Sequence, residues 1–205
     1  LFHIGNGRLP GFEALTRWNH PTRGPIPPSI FIPIAEESGL IIELSDLVLV
    51  RACRQLRLWQ EIDPSLRDLK LQVNMSAADL AHSALFERVA RALRSTHFTP
   101  HLLTLELTES ILMTGVESAL PALDALRRLG VSLAIDDFGT GYSSLSYLST
   151  LPIDSLKIDR SFVHGMRLGS KDAEIVRAIV SLGATLGKSV VAEGIETVRS
   201  EERRV

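Results

Sequence analysis

Apolar and polar positions along this chain follow two rhythms, a period of two and a period near 3.6, and the rhythms take turns. Gly11 to Trp18 alternates closely enough for a strand, after a Gly-Asn-Gly-Arg-Leu-Pro turn at residues 5–10. Asn19 to Pro28, rich in Pro, Gly and His, reads as a loop. Ser29 opens a helix that runs through Ser38 and is stopped by Gly39. Ile42 to Ile62 is a long amphipathic helix with Leu44, Leu47, Val48, Ala52, Leu56 and Trp59 on one face, broken by Asp63-Pro64. A strand follows at Leu69 to Asn74, then a helix with Ser76 as N-cap and Asp79 three residues on, and a second helix from Leu85 to Ser95. After the loop at Pro100 come a strand at Leu102 to Leu107 and a helix from Met113 to Gly130, striped by Leu120, Leu123, Leu126 and Leu129. The chain continues with a strand at Val131 to Ile135, a helical turn at Ser143 to Ser149 and a strand at Ile153 to Ile158. Asp172 to Leu186 makes one more helix and Ser189 to Ala192 one more strand.

Strand and helix alternate throughout, which is the order of a parallel sheet with crossover helices. An open doubly wound sheet and a closed (β/α)8 barrel both satisfy it. No internal repeat, low-complexity segment or linker interrupts residues 1–205, so one domain is expected.

The polar residues bear on that choice. Glu13 lies within the first strand, and Asn74 ends the second. Glu106 ends the third with Glu109 just beyond, and Asp136 and Asp137 end the fourth. Lys157 and Asp159 end the fifth, and Glu193 and Glu196 follow the sixth. Chemistry-bearing groups at the C-terminal ends of successive parallel strands are the layout of a barrel active site, whereas an open sheet draws on one switch point. The barrel is therefore the expected fold.

Adjacent carboxylates at the end of a buried strand repel unless a positive group stands between them, and an all-oxygen set of Glu, Asn and Asp suits Mg²⁺ or Mn²⁺. Asp136 and Asp137 together could serve two ions ~4 Å apart, an arrangement used in phosphoryl transfer, with Lys157 as a positive donor. None of the six histidines, all read as loop or helix residues, belongs to the acid series, which disfavours zinc. Gly139-Thr140-Gly141 lacks the spacing of a phosphate-cradling loop and reads as a mobile loop that positions the two aspartates.

Composition narrows the rest. A net charge of -2 gives no basic field for polymeric nucleic acid or a membrane surface. The single cysteine, Cys53, can form no internal disulfide, which fits a reducing cytoplasm. No apolar run approaches the ~18–20 residues that span a bilayer.

The chain resembles the EAL-domain family of cyclic di-GMP phosphodiesterases. The motifs that carry the likeness stand in family order: Glu13-Ala14-Leu15 with Arg17, Phe31 to Leu40, Val73-Asn74-Met75-Ser76, Glu106-Leu107-Thr108-Glu109, Asp136 to Gly141, Leu156-Lys157-Ile158-Asp159 and Ala192 to Thr197. The resemblance implies a TIM-like (β/α)8 barrel and hydrolysis of cyclic di-GMP to linear pGpG with Mg²⁺ or Mn²⁺, as two ions. It implies Glu13, Asn74, Glu106 and Asp136 as ligands of one ion, and Asp136 with Asp137 for the other, with Asp159 in the same metal set. Lys157 and Glu193 would orient or deprotonate the attacking water, and Glu109 would hold the Asp136–Tyr142 loop. Arg17 would grip a substrate phosphate, with Leu15 and Glu196 also on the substrate side. A homodimer and a fused sensor or diguanylate cyclase (GGDEF-type) domain are further family expectations.

Six of the eight barrel strands are visible in the sequence. The family's first strand, ending in Gln-Pro, and its Gln-Gly-Tyr strand are not, so the barrel is expected to be truncated at both ends. These 205 residues by themselves are accordingly expected to show little activity. The alternative functions are a non-catalytic cyclic di-GMP-binding sensor or regulatory module, or an inactive fragment of the enzyme. A barrel lyase of the enolase type would also use strand-end acids and a lysine, but it leaves Asp136 to Gly141 and Arg17 unexplained.

Overall fold

The computed structural model describes residues 10–113, 116–141, 145–167 and 169–194. Residues 5–9 of the turn expected over 5–10, the loop residue Tyr142, the substrate-side Glu196 and the polar tail from Arg199 to Val205 lie outside the described residues. In chain order the strands are β1 (Gly11–Ala14), β2 (Trp18–His20), β3 (Gly24–Ile26), β4 (Lys70–Met75), β5 (Leu103–Thr108), β6 (Ser132–Phe138), β7 (Ser155–Ile158) and β8 (Ser189–Ala192). The helices are α1 (Pro28–Glu37), α2 (Ile41–Ile62), α3 (Ala77–Ala81), α4 (Leu85–Thr96), α5 (Glu109–Met113), α6 (Val116–Leu129), α7 (Leu145–Thr150), α8 (Arg160–Gly165) and α9 (Lys171–Thr185). Six strands form one sheet in the order β1-β4-β5-β6-β7-β8, and β2 with β3 makes a separate antiparallel pair. The pairings β1–β4, β6–β7 and β7–β8 are parallel, as the alternation of strand and helix requires. The chain divides into two compact units, Leu1–Leu105 with Glu117–Val131 and Glu106–Val116 with Ser132–Val205.

In the first unit β1 stops at Ala14, its last partner being Val73 of β4, so the strand expected through Trp18 is cut short. Trp18 instead starts the β2–β3 hairpin, inside the stretch that composition marks as loop. The hairpin's turn holds itself together locally. His20 Nδ1 accepts from the N–H groups of Thr22 and Arg23 at 3.2 and 3.3 Å, and Gly24 supplies a φ of +70°. His20 is therefore a strand residue and not the loop residue expected.

The long helix α2 buries a different face from the one its pattern suggests. Ile41, Leu49, Cys53, Leu56 and Gln60 are inside, and of the expected face only Leu56 is among them. Leu47 and Trp59 are 46% and 41% exposed. The helix carries two apolar stripes side by side, and packing against α4 selects the one that includes Cys53. Gln60 is tolerated inside because its amide donates to the Arg67 carbonyl at 3.2 Å. In α6 the buried line is Ala119, Leu123 and Leu126, with Leu129 left exposed.

The second unit has Leu133, Ile135, Ile153, Leu156 and Ile158 at its centre, all essentially without solvent contact. Its β6 runs three residues further than its apolar stretch and takes in Asp136, Asp137 and Phe138. The extension is irregular. The β6–β7 register shifts between Ile135 and Phe138, and Asp137 has a φ of +53°. A bulge of this kind re-aims side chains at a strand end. The expected Ser143–Ser149 helical turn is α7, of which Ser143 and Ser144 lie outside the described residues. Helix α8, which no sequence pattern announced, follows β7 at once.

Candidate active site

Each strand of the main sheet carries a candidate functional side chain at or beside its C-terminal end. In the first unit Glu13 is the third of four residues in β1, and Asn74 the fifth of six in β4. The parallel register sets Glu13 opposite Gln72, which brings Asn74, the next residue on the same face of β4, within reach. Asn74 Nδ2 donates to Glu13 Oε1 at 2.9 Å. Beyond the end of β1, Leu15 is 57% exposed, and Arg17, also exposed, donates to the Thr16 carbonyl at 2.9 Å. Both border a groove of about 820 Å³, which Trp18, Ile34, Leu44 and Leu47 line as well.

The second unit gathers its charges around one lysine. Lys157 of β7 is fully buried, and its Nζ lies 2.8 Å from Glu106, 2.7 Å from Glu193 and 3.2 Å from Asp136. Burial alone would lower the lysine's pKa. The Glu106 carboxylate, with Glu193 and Asp136, more than reverses that and holds it above the ordinary value. The ammonium therefore stays charged.

Asp137 responds in the opposite sense. Burial, then the carboxylates of Asp136, Asp159 and Glu193, push its pKa up to about 6, and its carboxyl hydrogen-bonds that of Asp159. Asp159 itself goes down. Burial would raise it, but the Ser161 hydroxyl and N–H, which Asp159 accepts as N-cap of α8, outweigh that.

The loop after β6 is anchored by Glu109, a buried residue at the start of α5. Its Oε2 accepts from the N–H groups of Gly139 at 2.9 Å and Gly141 at 3.1 Å. Gly139 is needed as such, with a φ of +101° and the Phe162 ring 2.9 Å from where a Cβ would stand. At Gly141 a Cβ would crowd the Glu109 carboxylate at 3.0 Å.

These residues suit a divalent cation. Carboxylate oxygens of Asp136, Asp137 and Glu193 lie within 4.8 Å of one another. Glu106 and Asp159 add two more acids around the positive charge of Lys157. The donors are oxygens throughout, the preference of a hard ion. Two features of the site go beyond the sequence pattern. Asp159 is a helix cap as well as an acid, which the Asp159-x-Ser161 spacing could have signalled, and Phe162 packs under the Gly139 loop.

The model of the EAL domain family matches residues 1–203. The chain is 48% identical over 197 residues to the bifunctional diguanylate cyclase/cyclic di-GMP phosphodiesterase MucR of Pseudomonas aeruginosa, a match covering 96% of this chain and 28% of that protein. It is 45% identical over 197 residues to the cyclic di-GMP phosphodiesterase NbdA of the same organism, covering 96% of this chain and 25% of that protein. The chain thus spans about a quarter of the length of these curated relatives. Among solved structures it matches that of the MucR phosphodiesterase in complex with c-di-GMP, with a TM-score of 0.89 and 47% identity over 97% of this chain and 79% of that one. The fold is accordingly of the TIM-like barrel class, represented by six parallel strands with their helices. Among the described residues no helix is long and apolar enough to cross a membrane.

Proposed function

The chain belongs to the EAL domain family, and on that premise we propose that it hydrolyses cyclic di-GMP to linear pGpG using two divalent ions, Mg²⁺ or Mn²⁺. The names of MucR and NbdA support the substrate, and the burial of Lys157 among Glu106, Asp136 and Glu193, beside the acid-rich Asp137, is the observation that carries the chemistry. The family's motif positions supply the ligand sets: Glu13, Asn74, Glu106 and Asp136 for one ion, Asp136, Asp137 and Asp159 for the other.

When bound, the ions supply Lewis-acid charge that makes water a nucleophile near neutral pH and offsets negative charge on the phosphoryl oxygens. Lys157 cannot serve as the base, because its neighbours hold the proton on. It orients the attacking water as a donor, and Glu193 is left to accept that water's proton. Arg17 holds a non-bridging phosphate oxygen pair with its planar guanidinium, and Leu15 meets the apolar part of the nucleotide beside it. Glu196 contributes on the substrate side. Glu109 fixes the Gly139–Gly141 backbone and so the approach of Asp136 and Asp137. One phosphorus–oxygen bond forms with water, the bond to the 3′ oxygen breaks, and the ring opens to a 5′-phosphate.

The reaction belongs in the cytoplasm, in a homodimer, next to a sensor or cyclase module of a longer protein. Chromatography of cyclic di-GMP incubated with Mn²⁺ and the full-length protein that carries this domain tests the proposal. A pGpG product that disappears with a chelator supports it, and nucleotide bound but recovered intact assigns the domain to sensing.

A further inference from the structure

The turn that follows Asn74 is tied down by a buried carboxylate for which the reaction has no use. Asp79 in α3 has no solvent exposure. Its Oδ2 accepts from the Ser76 N–H at 3.0 Å, the Ser76 hydroxyl at 2.7 Å and, from α2, the Ser45 hydroxyl at 2.6 Å. Its Oδ1 stands 2.8 Å from the guanidinium of Arg88 on α4. Arg88, itself buried, also pairs with Asp46 at 2.8 Å and donates to the Ile42 carbonyl at 2.9 Å.

A Ser-x-x-Asp capping box needs only its own two residues, and on a surface helix it would be solvated. Here two further groups from two other helices, the Ser45 hydroxyl of α2 and the Arg88 guanidinium of α4, close over the acid and offset its removal from water. Helix α3 has five residues, too few to hold its own start in place. The network therefore fixes residues 76–79 from outside. Two residues upstream, Asn74 bonds Glu13 across the β1–β4 pair, whose last register partners are Ala14 and Val73. Asn74 thus stands between the paired backbone, which ends at Val73, and the turn that the Asp79 cluster ties down.

We propose that Asp79, clamped by Arg88 and Ser45, is a positioning residue that sets the Asn74 side chain toward Glu13 and the metal. The inference rests on the reading of Asn74 as a metal ligand. Outer groups of this kind typically change metal affinity about 10–100-fold when lost.

The test compares Asp79→Asn, which keeps the shape and removes the charge, with Leu93→Ala, which opens a cavity on the buried face of α4 away from the turn. Mn²⁺ affinity is read by electron paramagnetic resonance, melting temperature by calorimetry, and the Asn74 side-chain amide by NMR of the metal-free chain. Asp79→Asn is expected to weaken Mn²⁺ about tenfold and shift the Asn74 amide, while Leu93→Ala, at an equal loss of melting temperature, changes neither. Unchanged Mn²⁺ affinity in folded Asp79→Asn overturns the inference, as does an equal loss in Leu93→Ala. If Asp79→Asn does not fold, Ser45→Ala, which removes one donor, carries the same comparison with a smaller change in the same direction. If the unsubstituted chain binds no Mn²⁺, the metal reading fails by itself, and an Asn74 amide unmoved in Asp79→Asn then rejects the positioning role.

Discussion

Lys157 Nζ lies 2.7 Å from Glu193 and 2.8 Å from Glu106, so two strand ends meet on one buried ammonium. Replacing it by Met leaves Glu106 buried without its counter-ion. Breaking a buried pair in this way costs about 3–5 kcal/mol. Lys157→Met is expected to lower the metal-free chain's urea midpoint and to cut turnover more than 100-fold. A stable, active variant would remove the lysine from both roles.

The raised pKa of Asp137, about 6, has two pH consequences of definite sign. A carboxyl raised in the folded state contributes stability that is complete below its unfolded value near ~4 and is lost as the pH rises through the folded value. The metal-free chain should therefore lose part of its stability between pH 4 and about pH 6. A cation must displace the same proton, so Mn²⁺ affinity should fall as the pH drops below about 6, by up to roughly tenfold per unit. Melting curves and Mn²⁺ titrations across that window check both signs.

Glu109 bonds two loop N–H groups with one oxygen. Glu109→Ala leaves both donors without it, at about 1–3 kcal/mol each where they stay buried. Glu109→Gln keeps an accepting oxygen and should lose less, so the expected order of residual turnover is Glu, then Gln, then Ala. Gly139→Ala tests the same loop from the other side. Its φ of +101° and the Phe162 ring at 2.9 Å both oppose a methyl group, and a loss of melting temperature is expected.

Cys53 is completely buried, and burial, opposed only by a contact with Thr96, pushes its thiol up to about 12. A thiol reagent at neutral pH should modify it only on unfolding. Rapid labelling of the native chain would contradict the packing of α2 against α4.

Much of this arrangement was legible in the sequence, because parallel strands announce themselves as short β-branched runs and the acids stand where those runs end. Leu69–Asn74 and Ile153–Ile158 were placed within about two residues of β4 and β7. The Ser76–Asp79 box was legible too, since capping is local. What escaped was whatever depends on contacts distant along the chain. The pattern of α2 offers two apolar stripes and says nothing of which one α4 will cover. The hairpin at Trp18–Ile26 hides in loop-like composition because a histidine side chain, rather than an apolar pattern, organises its turn. Arg88 reads as one more surface arginine until Asp79 and Asp46 are found against it.

The central claim is that water opens the ring of cyclic di-GMP at the acids around Lys157. Turnover with Mn²⁺ in ¹⁸O-labelled water, followed by mass spectrometry, tests it most directly. The account predicts pGpG carrying one ¹⁸O on its 5′-phosphate, with none formed by Glu193→Gln. Cyclic di-GMP recovered intact from the metal-loaded, folded full-length protein that carries this domain would contradict it.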